Sequence, residues 1–257
     1  MSRFSAFGVH IGISLIIFVV LAYLIVFQWY PGMFFNTDGG WRGMRIIFAV
    51  DLVLGPVLTL IVFKTGKPGL KLDLALIGML QIVCLVIGTY IVYNERPLAV
   101  VYNDGRFTVM TKDDYLSDNG IPTPDLRHFP GKYPKWVEVD IPTDVEAEAE
   151  LRTEVFRSGR LLNSLTERYR PFSEQSPSFT ENAVSLTDIL KDPHWRPVLD
   201  GWINKNGGTF DDYRFYTFST RYTFGYFVYD RHSSERLGLL TAPPRGPTTD
   251  SQSPANS

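Results

Sequence analysis

Between Arg3 and Asp38 the chain carries no charged side chain, and residues 7–30 are apolar almost without a break. A helix rises about 1.5 Å per residue, so roughly 20 apolar residues cross a hydrocarbon core. This run is long enough to do so. Arg3 ahead of an apolar stretch also fits a secretory signal, but the run exceeds a signal core, and no small-residue cleavage site follows Phe27-Gln28-Trp29-Tyr30. The pattern predicts an uncleaved anchor ending at Trp29 and Tyr30, rings of the kind that settle at a membrane interface. A second run, 46–63, is interrupted by Asp51 and by Gly55-Pro56. A third, 74–93, has Gln81 and Cys84 as its least apolar members and stops at Asn94-Glu95-Arg96-Pro97. Three transmembrane helices are expected within residues 1–93.

Beyond Pro97 the period changes. Residues 98–102 and 107–111 flank Asn103-Asp104-Gly105-Arg106, and Asp-Gly between β-rich runs predicts a tight hairpin. The Pro-, Asp- and Gly-rich stretch 112–142 predicts an ordered loop with little regular structure. A helix is expected from Thr143-Asp144 to about Tyr169, acidic at its start and basic later, with Leu151, Val155, Leu162 and Leu165 as its buried stripe. Shorter helices are expected over 181–191 and 193–204, the second stopped by Gly207-Gly208. Nine aromatic rings between Tyr213 and Tyr229, then 236–241, predict β-structure. The fold class is therefore a membrane α-helical anchor of three transmembrane helices followed by a small α+β soluble domain, residues 94–242. The Pro-, Ser- and Thr-rich residues 243–257 are expected to be a disordered tail.

Charge adds an orientation. Residues 1–93 hold six basic and three acidic residues, a net of +3, and the remainder has a net of −5. Lys64, Lys67 and Lys71 crowd the connection between the second and third spans, which favours the cytoplasm for it. The N-terminus is then cytoplasmic, and the 31–45 loop and everything after Tyr93 lie outside, although Arg42, Arg45 and Arg96 oppose that bias. A total of −2 without a basic stripe predicts no nucleic-acid partner. Four scattered His and one Cys suggest neither a metal site nor a disulfide framework. There is also no phosphate loop and no nucleophile–base spacing. No catalytic, cofactor-binding or metal-binding residue is expected, and a soluble cytosolic enzyme is excluded.

Several short motifs recur in order through the first half: Phe34-Phe35-x-x-x-Gly39-Gly40, Val50-Asp51-Leu52-Val53-Leu54-Gly55-Pro56-Val57-Leu58-Thr59-Leu60, Lys71-x-Asp73-Leu74, Gln81, Arg96-Pro97-x-x-x-Val101 and Asp104-x-Arg106-Phe107. The series resembles the TfpX/TfpZ family of type IV pilin accessory proteins over roughly residues 1–112, and the terminal β-region resembles it again more loosely. The family's Asp-Arg-Phe reads here with Gly105 inserted, which predicts a wider hairpin turn. The resemblance implies a bacterial inner-membrane protein with a periplasmic C-terminal domain, a type IV pilin (the major pilin) as partner beside inner-membrane lipids, and an accessory or chaperone-like role in pilin assembly or display. It carries over no active site.

The candidate residues follow from polar or small side chains in apolar spans. Asp51 is expected either to make a polar contact inside the bundle or with a partner helix, or to sit about 8 Å from the outer end and reach interfacial water or an arginine. Gly55 and Pro56 predict a kink, static or hinged. Gln81 suits an interhelical hydrogen bond, and His10 suits headgroups. Gly8 and Gly12 permit close helix approach, which favours packing on the chain's own second and third spans over reception of a pilin helix. Tyr213, Phe215, Tyr222 and Phe224 are candidate pilin contacts. The rival readings are a membrane-bound transferase or peptidase that modifies pilin and a periplasmic sensor anchored in the membrane.

Overall fold

The structure is a computed structural model that describes residues 2–118 and 120–241; the expected tail, 243–257, lies outside the described residues. Three helices are long and apolar enough to cross a membrane: α1 (Arg3–Trp29), α2 (Gly40–Val62) and α3 (Leu70–Asn94). Each extends past its apolar run. The flanking residues 40–45 and 70–73 are helical while mostly polar or small, so hydropathy marks the hydrocarbon-facing part of a helix and not its ends. Ser2 caps α1 by accepting from the Ser5 N–H at 3.1 Å, and Gly69, at φ +82°, precedes α3.

The burial pattern of these helices is inverted relative to a water-soluble bundle. Ile16, Ile61 and Ile82 are 68%, 72% and 64% exposed, whereas Ser14, Asp51, Thr59 and Gln81 are buried. Apolar side chains outside and polar ones inside suit a bundle whose solvent is lipid.

The described residues form two compact units, the first comprising residues 2–101, Val109–Pro171 and Thr220–Tyr222. In its non-membrane part the strands run β4-β3-β1, with β1 at Ala99–Asn103, β3 at Lys135–Val139 and β4 at Tyr169–Pro171. β3 and β4 are antiparallel, Val137 facing Pro171 and Val139 facing Tyr169. Ala99, Val101, Met110, Tyr115, Val137 and Leu151 form the core. The stretch read as loop holds both β3 and a short helix, α4 (Lys112–Ser117). α4 starts at a capping box in which Asp114 accepts from the Thr111 N–H at 2.7 Å. The long helix expected to reach Tyr169 is α5 (Val145–Ser158), capped by Asp144 and stopped by Gly159 at φ +68°. Leu162 and Leu165 of the expected stripe do pack on the core, but Leu162 does so from a 3₁₀ turn and Leu165 from the residue that joins it to the next, not from the helix.

The second unit comprises Tyr102–Thr108, Phe172–Ser219 and residues 223–241. β1 leads into β2 (Arg106–Met110) through Asp104-Gly105. Both turn residues have positive φ, +42° and +75°, which is the geometry of a tight two-residue hairpin turn. The inserted glycine therefore does not widen it. β2 pairs in parallel with β5 (Tyr213–Ser219), Phe107 facing Phe218. β5, β6 (Phe224–Asp230) and β7 (Arg236–Thr241) continue antiparallel. Both faces of β5 are covered. Tyr213 and Phe215 join Trp195, Leu199 and Val228, while Tyr216 stacks on Phe179 with centroids 4.1 Å apart. The helix expected over 181–191 is instead α6 (Pro177–Glu181) and α7 (Leu186–Ile189). They are separated where the Val184 N–H donates to the Phe215 carbonyl at 2.7 Å, pulling the backbone into a β-bridge. α8 (Trp195–Asn206) ends at Gly207, near the stop expected for it.

Candidate functional site

Helical spacing aligns the polar groups of the spans. His10 and Ser14 are one turn apart on α1, and Asp51, Gly55 and Thr59 occupy successive turns of α2. The Ser14 hydroxyl donates to Asp51 Oδ1 at 3.2 Å. Gln81 Nε2, from α3, donates to the Asp51 carbonyl and Oδ1 at 3.4 and 3.5 Å. His10 Nδ1 and Thr59 Oγ1 are 2.6 Å apart. His10 thus bonds within the bundle, where headgroups were expected. Asp51 Oδ2 is buried without a hydrogen-bond partner.

Two features of α2 create this arrangement. A Cβ built on Gly55 would lie 1.7 Å from Gln81 Nε2, so glycine leaves the space the Gln81 amide occupies. Residues Phe48–Leu54 form a π-helical turn in which the Gly55 N–H donates to the Val50 carbonyl. The next residue in that register is Pro56, which has no N–H to give the Asp51 carbonyl, and Gln81 supplies the donor instead. The expected kink at Gly55-Pro56 is accordingly a π insertion in a continuous helix. Asp51 lies about 16 Å along α2 from Gly40 at ~1.5 Å per residue. Its contacts are Ser14 and Gln81, so the reading in which it reaches water or an arginine gives way to the intrabundle contact.

A second cluster, also within the first unit, gathers at the α1–α2 loop. The Thr220 hydroxyl donates to the Thr37 carbonyl at 2.6 Å, and Arg221 pairs with Glu95. The Arg42 guanidinium lies 4.3 Å from the Tyr222 ring centre. Gly39 has φ +94°, and its Cβ would fall 2.5 Å from Tyr222 Cε2, so both backbone and space require glycine. The Tyr30 hydroxyl donates to the Val92 carbonyl at 2.9 Å. Burial pushes the Asp38 carboxyl up to about 7, the Asp114 charge adds to this, and the Arg221 N–H and Thr220 oppose it. Thr220 and Arg221 were not legible as site residues; the only hint was the Gly39-Gly40 pair.

Other candidates fare differently. Tyr213 and Phe215 are buried core residues, because both faces of β5 are covered, and they present no surface to a pilin. Tyr222 and Phe224 are 44% and 50% exposed. Gly8 and Gly12 have nothing within 4 Å of a built Cβ. Their face is not packed on the chain's own spans, which corrects the expected self-packing. Among the described residues no group of three His, Cys, Asp or Glu side chains could hold a metal ion.

No protein-family model matches the chain, and no solved structure matches it. Curated relatives from Dichelobacter nodosus do. The chain is 37% identical over 128 residues to the fimbrial assembly protein of serogroup I, covering 48% of this chain and 49% of that protein. It is 34% identical over 128 residues to that of serogroup E1, with the same coverage. The match thus spans about half the length of these two relatives. With the fimbrial assembly protein of serogroups C1 and C2 it shares 34% identity over 114 residues, 43% of this chain and 86% of that protein. On that coverage, the chain belongs to the family of fimbrial assembly proteins.

Proposed function

We propose that this protein is a non-catalytic accessory of type IV pilus assembly, of the TfpX/TfpZ kind, that binds a cognate pilin in the inner membrane and promotes its assembly or surface display. The observation that carries the reading is the identity to fimbrial assembly proteins. In this reading the N-terminus is cytoplasmic and the C-terminal domain periplasmic. The spans hold the apolar helix of the pilin, and the soluble domain contacts its head. The unpacked face of Gly8 and Gly12 on α1 supports a helix-receiving role, since small residues let two backbones approach closely. The polar strip around Asp51 is a joint between the three spans, with no catalytic part.

The test is surface pilin against total cellular pilin, with and without the gene, with pilin mass scored in the same samples. Lower surface pilin at normal mass and unchanged total is the expected result. Unchanged surface pilin would overturn the role, and a shifted mass would favour a modifying enzyme. Gly8→Leu with Gly12→Leu should reduce in-membrane crosslinking to pilin; unchanged crosslinking would remove the helix-receiving part.

A further inference from the structure

We infer that the α1–α2 face beside the outer loop is a binding slot for an anionic phospholipid. A groove of about 910 Å³ is lined there by Phe18, Trp41, Arg42, Arg45, Ile46 and Phe48, among others. Its composition changes along its length. Ile46 and Phe48 are large apolar side chains left 63% and 43% exposed, on the part of the bundle that meets hydrocarbon; Trp41, 46% exposed, lies beside Arg42. Arg42 and Arg45 stand at the other end, one turn apart in the first turns of α2. From Ile46 to Val62 the helix runs about 26 Å at ~1.5 Å per residue. That is close to the thickness of a hydrocarbon core, so the two guanidiniums sit at headgroup depth.

Neither arginine has a carboxylate partner among the described residues: Arg42 rests on the Tyr222 ring, and the nearby Glu95 is taken by Arg221. A guanidinium presents a planar fork of donors that matches phosphate oxygens. Two such forks above an aromatic and aliphatic trough fit a molecule with an anionic phosphate at one end and acyl chains at the other. A zwitterionic lipid offers the chains without the net charge. Each basic residue near a membrane surface contributes roughly fivefold to affinity for an anionic headgroup, so removing both should cost on the order of 25-fold. The inference is independent of the pilin reading.

The experiment is native mass spectrometry of the full chain released from detergent, titrated separately with phosphatidylglycerol, phosphatidylcholine and inorganic phosphate. Preferential retention of phosphatidylglycerol is expected, reduced to the phosphatidylcholine level in Arg42→Gln/Arg45→Gln. Arg42 also packs on Tyr222, so Arg45→Gln alone guards against a disturbed fold and should weaken phosphatidylglycerol about fivefold. Equal retention of the two lipids by the unaltered chain, or an unchanged preference in both variants, would overturn the inference. So would displacement of the lipid by millimolar inorganic phosphate, which would indicate a bare anion site. Crosslinking in cells from position 45 to an acidic residue of another protein, together with equal lipid retention, would assign the groove to a protein partner.

Discussion

Replacing Gly55 with Ala isolates the design of the intramembrane joint. The added Cβ would fall 1.7 Å from Gln81 Nε2 and 2.3 Å from its Cδ, so the amide must swing away. Gln81 is a flexible side chain, and moving it costs little by itself. The loss is its two bonds to Asp51, one of which serves the carbonyl stranded by Pro56. Interhelical hydrogen bonds in membranes contribute ~0.6–2 kcal/mol each. Both bonds here are long, so Gly55→Ala should destabilise the bundle by about 1–3 kcal/mol. Gln81→Ala removes the same bonds and also the clash. In a double-mutant cycle the second substitution should therefore add almost nothing to the first, giving a coupling of the same 1–3 kcal/mol. The assay is reversible unfolding of the purified chain in mixed micelles, followed by helicity. Additive effects of the two substitutions, or a neutral Gly55→Ala, would refute the role assigned to the glycine.

Asp38 makes the loop cluster pH-dependent. With its carboxyl raised to about 7, the docked loop holds a proton that a released chain loses above ordinary carboxylate pH. Stability of the docked state therefore falls as pH rises from about 4 to 7. At ~1.36 kcal/mol per unit the upper bound is on the order of 4 kcal/mol. Amide exchange of residues 37–39 and 220–222, corrected for its intrinsic pH dependence, should quicken between about pH 4 and 7 and level off above that. Asp38→Asn should abolish that trend; a variant that kept it would refute the assignment. Phe179 is fully buried and touches Tyr102, Phe107, Tyr216 and Tyr229, so Phe179→Ala should destabilise the second unit by about 3–5 kcal/mol. A denaturant midpoint of that unit unchanged by the substitution would contradict the packing described for it.

What the sequence determined by itself rests on local physics. Apolar runs of about 20 residues have one stable setting, a helix across lipid, and all three were legible. Asp104-Gly105 was legible as a turn because positive φ at two successive residues restricts residue type, and Gly207 as a stop for the same reason. The ends of α2 and α3 were not, because hydropathy reports the lipid-facing segment and is blind to the helical turns beyond it. The break between α6 and α7 came from a bond between Val184 and Phe215 of β5, far apart in sequence. Gly8-x-x-x-Gly12 and Gly55 read alike as small residues in apolar spans, yet one faces open space and the other receives an amide from α3. Asp51 could be recognised as costly in lipid, but its partners Ser14 and Gln81 lie on other helices. Likewise, Gly39 and Tyr222, or Glu95 and Arg221, are more than a hundred residues apart. Local backbone and solvation preferences act within a few residues; which side chains fill one another's space is decided only once the helices and the loops between them have packed.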